Sequence, residues 1–126
     1  MYRVVLRFHP LHVMANNNLG YQLLVRGGDL DEAERMIEHA YEGDPNSAAV
    51  VDSLGWVRYL KGVVEDETDA SGLVVREGAI GLLERAIALG LADQDPGVFE
   101  IHLHLGDAYW RAGQEELAVE QWRAGR

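Results

Sequence analysis

The sequence predicts an all-α fold built from antiparallel helix-turn-helix units stacked one on the next. Three observations predict it. Pro10, Pro45 and Pro96 are each followed ten residues later by a glycine, Gly20, Gly55 and Gly106, and each of these follows a leucine, Leu19, Leu54 and Leu105. Small residues then recur seven apart, at Ala33 and Ala40, Ala79 and Ala86, and Ala118 and Gly125, a spacing that puts both members of a pair on one helical face two turns apart. Apolar positions such as Val98, Ile101, Leu105 and Ala108 keep helical spacing, and no strict alternation persists.

The intervals between these landmarks locate the irregular parts. Gly20 to Ala33 is 13 residues and Gly106 to Ala118 is 12, but Gly55 to Ala79 is 24. The excess falls in VVEDETDASGLVVREG, residues 63–78. A shorter excess lies in GLADQDPG, since Ala86 to Pro96 is ten residues against five from Ala40 to Pro45. With both removed the period is close to the ~34 residues of a two-helix repeat.

Taken in order, six helices are expected, at about 12–26, 30–43, 47–61, 77–90, 98–112 and 115–124. Gly27-Gly28-Asp29 ends the first and Asp31-Glu32 place acids in the opening turn of the second. Asp44-Pro45-Asn46 stops the second helix and opens the third. Lys61-Gly62 ends the third, and the insertion follows before the fourth. Asp95-Pro96-Gly97 separates the fourth from the fifth. Ala112-Gly113-Gln114 then divides the fifth from the sixth, whose first turn carries Glu115 and Glu116. A glycine inside a helix costs roughly 1 kcal/mol against alanine, so Gly20, Gly55 and Gly106 are expected where another backbone or side chain approaches closely. The units are therefore 11–45, 46–96 with its insertion, and 97–126. Residues 1–10 match the end of a second helix that lacks its partner. The chain reads as a piece of a longer array; the other reading is that its ends pair with another chain.

A unit of this length with Leu-Gly, an aromatic or apolar pair, a turn glycine, two small residues seven apart and a closing proline resembles the tetratricopeptide repeat. Leu19-Gly20, Ala33, Ala40 and Pro45 match it in the first unit. Leu54-Gly55, Gly62, Ala79, Ala86 and Pro96 match it in the second, and Leu105-Gly106, Tyr109, Gly113 and Ala118 in the third. Departures are the two insertions, the doubled Gly27-Gly28, and Gly125 where the family prefers alanine. The resemblance implies a right-handed solenoid that serves as a protein-binding scaffold, without cofactor or catalytic activity. More narrowly, the chain is similar to the C-terminal repeats of long proteobacterial envelope proteins of this family, which implies a periplasmic setting; otherwise a cytoplasmic one is expected.

Composition narrows the partner. Twenty-one acidic residues against 11 Lys and Arg give a formal net charge of −10, which argues against binding that works by neutralising phosphates. Nucleic acid is excluded on that ground, and a neutral or basic protein or peptide is favoured. Cysteine is absent, so neither disulfides nor thiolate metal sites arise. No apolar run approaches the ~20 residues needed to span a bilayer.

In a solenoid of this kind the first helix of each pair lines the concave face. By register that face carries Asn17, Asn18, Tyr21 and Leu24, then Asp52, Ser53, Trp56 and Tyr59, then Glu100, Leu103, His104, Asp107, Trp110 and Arg111. Rings beside amides and carboxylates suit an extended peptide, the rings for contact area and asparagine for backbone hydrogen bonds. The plainer alternative is that Trp56, Tyr59 and Trp110 pack between repeats. One group within the family grips a C-terminal carboxylate with lysine, asparagine and arginine on this face; here the matching positions hold Asn17, Tyr21, Ser53, Glu100 and His104, without the basic residues. Asp52, Glu100 and Asp107 instead favour a neutral or basic ligand.

Other chemistry is weakly signalled. Glu100, His104 and Asp107 share a helical face, and a polar stripe pairing them with Arg111 explains them better than a metal does. His102 points elsewhere, half-buried. The acidic run Glu65–Asp69 lacks the glycine a calcium loop requires and reads as a solvated loop tip. No nucleophile elbow, metalloprotease motif or phosphate-cradling loop is present, so no catalytic residue is assigned.

Overall fold

A computed structural model describes residues 10–125, and side chains from Val13 onward. Its helices are α1 (Pro10–Val25), α2 (Leu30–Gly43), α3 (Ala48–Leu60), α4 (Ala79–Ala92), α5 (Val98–Arg111) and α6 (Glu115–Ala124). Each of the six expected helices is present, with ends within two residues of those read from the sequence. The remnant helix expected at residues 1–10 lies outside the described residues but for Pro10, which opens α1. Among the described residues no helix is long and apolar enough to cross a membrane.

The helices form three antiparallel pairs, α1 with α2, α3 with α4, and α5 with α6, and each pair packs on the next in chain order. The first helices also touch one another, α1 on α3 and α3 on α5, so together they form one continuous face. One core runs through all three pairs and includes Ile37, Val51, Leu54, Leu82, Leu83, Ile101 and Leu105. Ala33, Ala40, Ala79, Ala86 and Ala118 have no exposed surface, as required where helices approach closely.

The Leu-Gly glycines are where the paired helices meet. A Cβ on Gly20 would lie 2.8 Å from Ile37 Cγ1, one on Gly55 2.8 Å from Leu83 Cγ, and one on Gly106 inside the ring of Trp122. The repeated glycine is thus a packing requirement, met each time by the second helix of the same pair. The turns repeat as well. Gly27, Gly62 and Gly113 have φ of 72°, 85° and 82°, and the residue after each donates its amide back to the carbonyl of Leu23, Arg58 and Tyr109. This is the glycine-terminated helix end in which a left-handed residue closes the final turn.

Side-chain caps hold the starts of α2 and α3. Asp29 accepts from the amides of Asp31 and Glu32 at the start of α2, and Ser47 accepts from Val50 at the start of α3, each such cap contributing about 1 kcal/mol.

The insertion differs from expectation. It is a short antiparallel ribbon, β1 (Glu67–Thr68) paired with β2 (Val74–Arg76), so the acidic run forms one arm of a hairpin. The tip is Asp69–Gly72 instead, where Asp69 Oδ1 accepts from the amides of Ser71 and Leu73 at 2.8 and 3.1 Å. The hydrogen bonds to Ser71 hold the Asp69 carboxyl below its usual range. The ribbon is anchored at its base, where Ala79 and Ile80 donate to the carbonyls of Val63 and Val64.

Candidate functional site

Where α1, α3 and α5 line up they enclose a cleft of about 300 Å³, lined by Asn17, Tyr21, Asp52, Ser53, Asp95 and Glu100 among others. Asn17 is only 3% exposed, and its Oδ1 is buried without a hydrogen-bond partner among the described residues. Burial raises the Tyr21 hydroxyl pKa, and the nearby charges of Glu100 and Asp52 and a hydrogen bond to Glu100 raise it further. Ser53 donates to the Ala49 carbonyl at 3.0 Å.

Beside the cleft, α3 and α5 are joined by a run of stacked groups. His104 and Arg111 stand seven apart on α5, and Trp56 and Tyr59 three apart on α3, so each pair shares a face. The His104 ring stacks on Trp56 with centroids 4.2 Å apart, and Trp56 stacks on Tyr59 at 4.7 Å. The Arg111 guanidinium lies over Tyr59, 5.2 Å from its centroid, and donates to the Tyr59 carbonyl at 3.1 Å. Two aromatic rings of one repeat are therefore gripped by two basic groups of the next, each such contact adding about 0.5–1 kcal/mol.

His104 is also buried against Asp52, its Nδ1 2.8 Å from Asp52 Oδ1, with Glu100 3.8 Å from Nε2. Burial alone pulls the imidazole pKa down; the Asp52 hydrogen bond and the charges of Asp52, Glu100 and Asp107 outweigh it, so the net shift is upward. A folded-state pKa above the unfolded one means that stability is fully present below the ordinary histidine value of 6.5 and is lost as pH rises through the folded value. A charge-assisted bond of ~1 kcal/mol corresponds to about 4 °C in a chain of this size. Thermal unfolding followed by circular dichroism is expected to show the midpoint falling by about that amount between pH 6 and pH 8, with His104→Gln flattening the slope. An unchanged slope in the variant would remove His104 as the cause.

The expected site residues thus divide. Asn17, Tyr21, Asp52 and Glu100 meet at the cleft, with His104 behind Asp52. Trp56, Tyr59 and Arg111 are engaged in the stack between repeats. Asp107 accepts from Trp122 Nε1 at 3.0 Å, bracing α6 on α5. Leu24 is a correction: it is buried in the core because an aliphatic side chain there gains about 1.5–3 kcal/mol by leaving water. His102 pairs with Gln121 at 2.7 Å, and the exposed Trp110 leans on Trp122 at a centroid distance of 5.5 Å.

A second polar centre carries no sequence signal. Glu34 of α2, nearly buried, takes Arg58 Nε at 2.8 Å, Lys61 Nζ at 2.8 Å and Arg76 at 2.7 Å. Burial raises the Glu34 carboxyl pKa, but the bonds to Lys61, Arg76 and Arg58 prevail and hold it at about 2. Arg58 reaches on to Glu38 at 2.6 Å and to the Glu77 carbonyl. Above this centre lies a wider cleft of about 800 Å³, bounded by α2, α3 and the ribbon residues Val74 and Val75.

Paired helices with a common core, Leu-Gly contacts and glycine-closed turns in each pair define a helical-repeat scaffold. No family model matches the chain. Over 64 residues, 51% of its length, it is 38% identical to a TPR repeat-containing protein of Pseudomonas aeruginosa, of which the match covers 11%. The repeat register and the helix pairing agree with this likeness to a tetratricopeptide repeat protein.

Proposed function

We propose that the face formed by α1, α3 and α5 is a concave groove that holds an extended peptide or a helix of a protein partner, neutral or basic in charge. The units 11–45, 46–96 and 97–126 each contribute one helix to it. The observation that carries this reading is the cleft itself, in which the buried amide of Asn17 and the carboxylates Asp52 and Glu100 from the three helices converge with Asp95 of the loop before α5. Low-dielectric walls concentrate the field of such carboxylates toward an incoming cation. This reading gives the chain no catalytic role.

The test is a peptide array of graded charge probed with labelled wild-type protein and with Glu100→Lys, a change at an exposed position. Neutral and basic peptides are expected to bind the wild type, and the variant to bind the same peptides about tenfold more weakly. Equal binding by the variant, or a preference for acidic peptides, would sink the groove.

A second reading has its own support. Phe99, Leu103 and Trp110 are 54%, 38% and 50% exposed on α5, an apolar surface suited to self-association. An oligomer in sedimentation velocity that survives Glu100→Lys but dissociates on Leu103→Asp would favour it.

A further inference from the structure

We infer that the cleft between α1, α3 and α5 is a subsite for a primary ammonium group, carried by a lysine side chain or by the N-terminus of the bound segment. The inference rests on the groove reading above and specifies its chemistry.

The cleft offers a ligand more acceptors than donors. Ser53 gives its only hydroxyl proton to the Ala49 carbonyl. Its oxygen therefore meets a ligand as an acceptor. Asp95 Oδ1 accepts from the Gly97 amide at 2.8 Å, Asp52 is shared with His104, and one Glu100 oxygen lies 3.8 Å from His104 Nε2, which leaves the remaining Asp95 and Glu100 oxygens to face a ligand. No Lys or Arg lines the cleft. Asn17 Oδ1, buried and unpartnered among the described residues, is an acceptor whose desolvation nothing in the fold repays.

A group that brings several donors, a positive charge and no acceptor fits this lining, and an ammonium is that group. Guanidinium offers five donors in a planar fork suited to paired oxygens, whereas these acceptors are spread over α1, α3, α5 and the loop before α5. Among the described residues no three acidic or histidine side chains are grouped closely enough to hold a metal ion, which sets a cation on a flexible stem apart from a bare one.

The test is an NMR titration in which the side-chain amide signal of Asn17 reports on the cleft. The probes are capped Ac-Ala-Ala-Lys-Ala-Ala-NH2, the same peptide with acetyl-lysine or norleucine in place of lysine, and an all-alanine peptide with a free amino terminus. The lysine peptide is expected to shift the Asn17 amide saturably, and the acetyl-lysine and norleucine peptides to bind about tenfold more weakly. Asp95→Asn with Glu100→Gln should abolish that difference while the fold, checked by the remaining spectrum, persists. A stronger response to the free amino terminus would assign the ammonium to a chain end. If all peptides shift Asn17 equally, the groove stands and the ammonium subsite falls. If none perturbs the cleft, both fall together.

Discussion

Replacing Arg58 by alanine is expected to lower the stability of the fold by about 3–5 kcal/mol, a large share of the ~5–15 kcal/mol that holds a domain of this size together. Arg58 is 5% exposed and joins three partners on two other segments: Glu34 and Glu38 of α2 and the Glu77 carbonyl below the ribbon. Its loss leaves Glu34 buried with Lys61 and Arg76 but removes the group that reaches all three. Arg58→Lys should recover less than half of the loss, because a point charge cannot span the positions that the planar fork does. Urea unfolding decides the matter: a loss below about 1 kcal/mol would mean that the network is a surface arrangement of the ordinary weak kind.

Gly78→Ala is expected to cost about 3 kcal/mol, the upper part of the range for overpacking. Gly78 opens α4 with ordinary backbone angles, so the cost is one of space. A Cβ there would lie 2.8 Å from the Asp66 nitrogen and closer still to the Glu65 carbonyl, and these are backbone atoms that cannot turn aside. The ribbon must then move, breaking the bond from the Gly78 amide to Asp66 Oδ1 and drawing Arg76 off Glu34. A wild-type unfolding midpoint in this variant would show that the ribbon is loosely seated.

The helices were legible because their signals are local and recur. Leu-Gly, the turn glycine and the paired alanines each appear once per unit, and Gly106 against Trp122 repeats what Gly55 does against Leu83. The insertion was legible in extent but not in form. Its acids drew attention to Glu65–Asp69, while the informative residues were Asp69-Ala-Ser-Gly72, a turn, and the β-branched Val74-Val75 after it. The Glu34 centre had no local trace, since Arg58 and Arg76 lie 24 and 42 residues away along the chain and become neighbours only through folding. In the candidate site, register brought Asn17, Tyr21, Asp52 and Glu100 to one face. It could not tell that Trp56 and Tyr59 would be taken up by His104 and Arg111, because a ring at a groove position and a ring between repeats have the same spacing. Asp95 was missed since it comes from the loop before α5, outside the register altogether.

The two joints of the array are thus fastened by different chemistry, and opposite ends of the pH scale should undo them. The joint between the first and second pairs depends on Glu34, whose contribution is intact above its ordinary value of 4.5 and fades as pH falls toward about 2. The joint between the second and third depends in part on protonated His104 and fades as pH rises. In a one-dimensional array each joint is a separate coupling between neighbours, so weakening one uncouples a single end. Amide exchange resolved by residue should find α1 and α2 loosening first in acid, and α5 and α6 first in mild base. Simultaneous loosening of all six helices in both conditions would mean that the common core, rather than the fastenings, governs how the array comes apart.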